Sequence, residues 1–241
     1  MNGPQDLARE LQQLLGLAEA PLGIRFLAQA SDDVPRHASN MPEPTADGRT
    51  GAVPASCVFW VEAAAASAPF ATVAADHGNC SVGALTHGFK TLDEAAQGAD
   101  IAALVESKWV SPEVFPHIPT VKEKPESIVY GRFEELDVIP DVVFIRLNAK
   151  QAMMLHDAWP EARFEGKPQC HIIPMAKEHD QVAISVGCML SRVRTDMSNH
   201  EMTCAIPGPR VEALLESLRN ARAADNAVAG YAAEDARRFG S

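Results

Sequence analysis

The sequence lacks the short motifs by which many soluble proteins declare their chemistry. It has no CxxC pair, no GxGxxG, no GxxxxGK[ST] and no GxSxG. Their absence argues against zinc ribbons, thioredoxin-like exchange, dinucleotide-binding turns, P-loops and nucleophile elbows. Basic residues form no cluster, alone or among aromatics, and the formal net charge is -11. A chain this acidic repels phosphate backbones, so nucleic acid is excluded as a partner. No apolar run is long enough to span a bilayer. The longest, CVFWVEAAAASAPFATVAA, is broken by Glu62, Ser67 and Pro69. The opening stretch MNGPQDLARELQQLL carries acids and has no h-region, so neither a signal peptide nor a membrane contact is expected. These absences leave a soluble, cytoplasmic protein that acts on a small molecule, with homo-oligomerisation open.

What is present is average globular usage, 46% hydrophobic and 22% charged over 241 residues, enough for one sizeable core. Leu7, Leu11, Leu14 and Leu15 at helical spacing predict an amphipathic helix over 5–16. PLGIRFLA alternates like a strand, and residues 30–54, with Pro35, Pro42, Pro44 and Pro54, read as a long surface loop. SCVFWVEAAAAS reads as a helix with Ser56 as N-cap, and FATVAA as a short strand. TLDEAAQGADIAALVESKW opens on Thr91 and Glu94, a capping box ahead of a helix. Strands follow at SIVYGRF, DVVFIRL, QVAISVG and HEMTCAI, with helices capped by Asn148 and begun near Pro209. The mixture lacks regular βαβ alternation. The fold class expected is α+β, or loosely wound α/β, with a mixed β-sheet flanked by helices. One globular unit of two interlocked lobes, about 1–125 and 126–219, ends in a loosely packed tail over 220–241.

In a reducing compartment the five cysteines, Cys57, Cys80, Cys170, Cys188 and Cys204, are buried thiols, metal ligands or reactive groups. The stretch ADHGNCSVGALTHGF sets Cys80 beside His77 and His87 among Gly78 and Gly83. Imidazole and thiolate three residues apart suit zinc, iron or copper; a glycine turn with one buried thiol is the plainer alternative. In QCHIIP an extended strand would point Cys170 and His171 to opposite faces, with Cys170 the candidate. SVGCMLSR ends a strand at Gly187 and Cys188 and supplies Arg192 as an anion clamp. His200 and Glu201 in HEMTC mimic a zinc-protease motif, but strand character and Cys204 in the last position exclude it. Cys204, Met153 and Met154 read as core.

The blocks APLGIRF, CVFWVEAA, NCSVGALTHGF, FIRLNAKQAMML, QCHIIP, SVGCMLSR and EMTCAIP, in that order, resemble the domain-of-unknown-function 169 family over residues 15–219. The resemblance implies family positions at Cys57, Cys80, Cys170, Cys188, Arg192 and Glu201, with Cys204 extra to the pattern. It implies no agreed reaction. Four recurring sulfurs fit an iron–sulfur cluster, with zinc or no metal as the alternatives. The leading expectation is therefore an oxidoreductase- or lyase-type enzyme. Cys57, Cys80, Cys170 and Cys188 would be its metal ligands. His77, His87, Arg192 and Glu201 would be its catalytic groups, and Gly78, Gly83 and Gly187 its cofactor-shaping turns. A non-catalytic small-molecule binder with structural cysteines and a thiol-redox or cysteine-nucleophile enzyme are the rival readings.

Overall fold

The structure is a computed structural model and describes residues 3–31, 33–37 and 55–239. Most of the expected loop over 30–54 lies outside the described residues. Of the part inside, His37 N–H donates to the Ala71 carbonyl at 2.8 Å and Ala71 N–H to that of Pro35 at 2.9 Å.

Helix α1 (Pro4–Leu15) begins with proline and ends at Gly16, whose φ of 64° is a left-handed cap that glycine adopts without strain. Strand β1 (Leu22–Leu27) follows, then α2 (Ser56–Ala65) and the short β2 (Phe70–Thr72). Ala55, not Ser56, occupies the N-cap of α2, which frees the serine hydroxyl for another use. Next come α3 (Ser81–Thr86), α4 (Leu92–Ala96) and α5 (Ala99–Glu106). The Thr91–Glu94 capping box forms as expected, with Thr91 N–H to Glu94 Oε2 at 2.8 Å and Glu94 N–H to Thr91 Oγ1 at 3.2 Å. The single helix expected beyond it is two, because the chain turns at Gly98. A Cβ there would collide with Ser81 Oγ.

The second half supplies β3 (Ser127–Arg132), β4 (Val142–Asn148), α6 (Ala149–Ala158), β5 (Arg163–Glu165) and α7 (Ile172–His179). Then follow β6 (Ala183–Ser185), α8 (Met189–Arg194), β7 (Glu201–Pro207) and α9 (Val211–Arg238). Asn148 caps α6 in a reciprocal box with Gln151. QCHIIP is not the extended segment expected. Gln169–His171 is a turn of 3-10 helix running into α7, so Cys170 and His171 diverge by helical rotation rather than strand alternation.

The seven strands make one mixed sheet in the order β2-β3-β1-β4-β7-β6-β5, antiparallel throughout except for β5 beside β6. Alternation along β4 explains the layers. Val142 and Phe144 face a core with Trp60, Leu85 and Ile172, supplied by α2, α3 and α7. Val143, Ile145 and Leu147 face the opposite core with Leu11, Leu155 and Leu214, supplied by α1, α6 and α9. Both faces are covered, which makes the fold α+β with a sheet between two helical layers. Met154 joins the second core but Met153 is half exposed, since adjacent helical residues cannot share a face. Beyond Leu218, α9 stays helical while its side chains lie mostly in solvent.

The first core contains two fully buried histidines. His77 Nε2 meets Thr72 Oγ1 at 2.9 Å, and that hydroxyl donates to the Ile128 carbonyl at 3.2 Å. The threonine has one proton to give, so His77 carries its own on Nε2 and accepts at Nδ1 from Ser56 Oγ, 2.9 Å away. His87 Nδ1 donates to the Gly83 carbonyl at 2.9 Å. Burial holds both imidazoles neutral, pushing His77 well below its ordinary value and His87 down to about 4.

Two outcomes follow. An unfolded histidine binds its proton near pH 6.5, whereas folded His87 waits until about 4. The unfolded chain therefore binds more protons between those values. This stabilisation is complete above pH 6.5 and is lost as pH falls towards 4, by ~3 kcal/mol for His87. Denaturant melts at pH 7 and 4.5 should show the loss, and His87→Gln should remove the His87 share of it while that of His77 stays. Gly208 offers the second test, because a Cβ there would overlap the Pro140 carbonyl. Gly208→Ala should lower unfolding free energy by about 1–3 kcal/mol in the same melts.

Candidate functional site

Four cysteines from four separate elements line one cavity of about 50 Å³: Cys57, Cys80, Cys170 and Cys188. Each arrives for a local reason. Cys57 is the second residue of α2, turned inward with Trp60 on the face that packs on the sheet. Cys80 and Cys188 are the N-caps of α3 and α8. Each sulfur accepts a hydrogen bond at 3.4 Å from the backbone N–H three residues on, Gly83 and Ser191 respectively. Cysteine thus occupies the position usually given to serine or aspartate, which turns the side chain back over the helix start. Cys170 sits on the 3-10 turn before α7.

The sulfurs are close enough to act on one another. Burial pushes the Cys57 thiol up to about 11, and Cys80 and Cys188 add to the rise, while Arg194 and the Ser191 hydroxyl oppose it. Burial also drives Cys170 well above the ordinary thiol range. Cys80, Cys188 and Cys57 reinforce that shift, against the Thr86 hydroxyl. Cys204 stands apart on β7, in the core across the sheet, where burial alone raises its thiol.

The cavity wall is mostly apolar. Val82, Leu104, Phe115 and Ile118 contribute to it, and Trp109 closes one side. Lys167 clasps that side, its Nζ lying 3.9 Å from the centre of the Trp109 ring while donating to the Trp109 carbonyl. Glycine keeps the opposite side open: a Cβ at Gly83 would lie 3.2 Å from Ser56 Oγ and 3.4 Å from Cys80 Sγ. Three buried polar atoms in the wall lack hydrogen-bond partners among the described residues, Trp60 Nε1, Gln169 Oε1 and Ser191 Oγ. Among the described residues, no group of three or more His, Cys, Asp or Glu side chains is arranged to hold a single metal ion.

Other candidates from the sequence lie elsewhere. His77 stands behind Ser56, which itself lines the cavity, and reaches it only through that hydroxyl. His87 is enclosed at the end of α3, beside Phe26 and His77. Arg192 turns from the cavity and clamps a loop, donating to the carbonyls of Ser198, Val186 and Glu201. It packs where Gly187, at φ 86°, leaves room for it. The Glu201 carboxylate accepts from Ser198 N–H at 2.7 Å and Arg146 at 2.8 Å. Partial burial raises its pKa, but these donors prevail and hold it below the ordinary range. Gly78 follows the 3-10 turn before Cys80 and is not among the cavity's walls.

Arg194 is the site residue that sequence reading missed. It lines the cavity with Cys80 and Cys57 and donates to the Asn79 carbonyl, next to Cys80, at 3.1 Å. Burial disfavours its charge, yet the two cysteines outweigh that and its pKa is raised. Helical periodicity held the signal: on α8, Ser191 and Arg194 are three apart and share the face that lines the cavity, and Arg192 lies off it.

No curated protein and no solved structure matches the chain. The profile of domain-of-unknown-function 169 (DUF169), described as uncharacterised ArCR, matches residues 10–217. That span includes all four cavity cysteines, Arg194 and the sheet that positions them, and the chain belongs to the DUF169 family.

Proposed function

We propose that the protein is a metal-cluster protein in which Cys57, Cys80, Cys170 and Cys188 hold an iron–sulfur cluster, serving redox or Lewis-acid chemistry on a small molecule. The observation that carries the reading is convergence. Thiols separated by up to 131 positions in sequence, from residue 57 to 188, line one cavity. Four sulfurs with no other sulfur among them are the donor set that clusters and structural zinc both use.

A tetrahedral zinc with Zn–S bonds of ~2.3 Å draws its sulfurs to within ~3.8 Å of one another. Here the four thiols stand around a cavity, and no group of three or more His, Cys, Asp or Glu among the described residues is gathered to hold a metal ion. The cradle left by Gly83 and the amide donors to Cys80 and Cys188 suit a group larger than one ion, carrying electron-rich sulfur. The residues present therefore fit a cluster. When bound it would supply an electron-accepting centre or an open iron. The chain's part is to exclude water with Trp109 and Phe115 and to offer donors to sulfur. Ligation must displace the protons that burial keeps on Cys57 and Cys170, so loading strengthens as pH rises.

Protein purified without oxygen should be brown and hold iron and acid-labile sulfide in equal amounts, about four of each for a cubane. A colourless protein with one zinc, or with no metal and an unchanged fold, would count against the cluster. Replacing Cys57, Cys80, Cys170 or Cys188 by Ser should each strip most of the iron, measured per folded protein. Cys204→Ala should keep it, since Cys204 lies on the other face of the sheet. Equal iron loss across all five variants would mean general destabilisation and would defeat the assignment.

A further inference from the structure

Among the described residues, Arg194 and Lys167 are the cations that line the cavity with the four cysteines. The Lys167 ammonium is engaged by the Trp109 ring and carbonyl. Arg194, the last residue of α8, is half-buried and lines the cavity with Cys80 and Cys57. Its Asn79 hydrogen bond fixes the guanidinium beside the Cys80 N-cap. No carboxylate among the described residues pairs with it, so its charge is not spent elsewhere.

We propose that Arg194 sets the reduction potential of the four-cysteine site, its guanidinium stabilising the more negative, reduced form. The inference rests on the iron–sulfur reading above and deepens it. The step is the gain of one electron from a low-potential donor. No bond forms or breaks and no proton is transferred. That electron enters a site walled by apolar side chains, where charge is poorly screened and a neighbouring cation acts strongly. Hydrogen bonds to ligand sulfur raise cluster potentials in the same direction, by drawing electron density from the thiolate. Arg194 brings its charge, and N–H groups not used on Asn79, to the wall that holds the sulfurs. It acts through the cysteines and is a positioning residue rather than a catalytic one. Arginine rather than lysine suits the task, because its planar fork keeps further donors free while one N–H holds the Asn79 carbonyl.

The test is a dye-mediated titration of the anaerobic, cluster-loaded protein with dithionite, followed by electron paramagnetic resonance. Wild type is compared with Arg194→Gln and Arg194→Lys at matched iron content. Arg194→Gln should lower the equilibrium constant for reduction at least tenfold, about 59 mV for one electron. Arg194→Lys keeps the charge but loses the fork, and should fall between the two. Where the glutamine variant does not fold or load, the lysine variant decides: a potential below wild type supports the role, and an unchanged one overturns it. Intact clusters at wild-type potential in both variants overturn the role of Arg194 and leave the cluster standing. A wild-type protein that takes up no cluster overturns both readings.

Discussion

The ladder between β4 and β7 is the constraint on which the rest of the molecule depends. Seven residues pair on each strand, from Val142 opposite Pro207 to Asn148 opposite Glu201. With β1 on one side of this pair and β6 on the other, the ladder joins strands from both ends of the chain into one sheet. Its register also decides which residues face which helical layer. A slip by one residue would exchange Phe144 with Ile145 and carry Cys204 to the other face. Elements as far apart in sequence as α2 and α8 then meet over one face of the sheet, and their cysteines meet with them.

Local order was legible wherever a local rule decided it. The Thr91 and Asn148 boxes, the β1 and β4 alternation and the α1 leucines are short-range patterns, and the chain obeys them. The exceptions came from tertiary contact. Gly98 splits a helix because Ser81 lies against it, and Cys170 enters a helical turn where QCHIIP suggested a strand. In the site, residue type pointed to the cysteines, but type alone misdirected attention among the polar groups. Histidines next to a glycine turn look like ligands; here both rings lie inside the core, His77 paired with Ser56 and Thr72 and His87 held through Nδ1 by the Gly83 carbonyl. Arg192 and Arg194 are two residues apart, and only the helical rotation of α8 tells the loop clamp from the cavity residue.

The cavity also shows what the fold gives up. Burying thiols is easy while they stay protonated, and burial pushes Cys57 and Cys170 in that direction. A half-buried guanidinium and three unpartnered polar atoms beside them, Trp60 Nε1, Gln169 Oε1 and Ser191 Oγ, are costly. An apolar wall without those groups would stabilise the chain more. Local consistency breaks down in this wall, and such breaks are where function is expected to sit.

The two cysteine N-caps tie the chemistry of sulfur to the persistence of structure. Helices α3 and α8 have six residues each, too few to hold together without tertiary support and a secured first turn. Oxidation of Cys80 or Cys188 to a sulfinic acid would replace a compact capping atom with a bulky charged group in the same wall. The damaged sulfur and the unravelled turn would then be a single lesion, and a protease that reads exposed backbone would find the spoiled molecule without any sensor for sulfur.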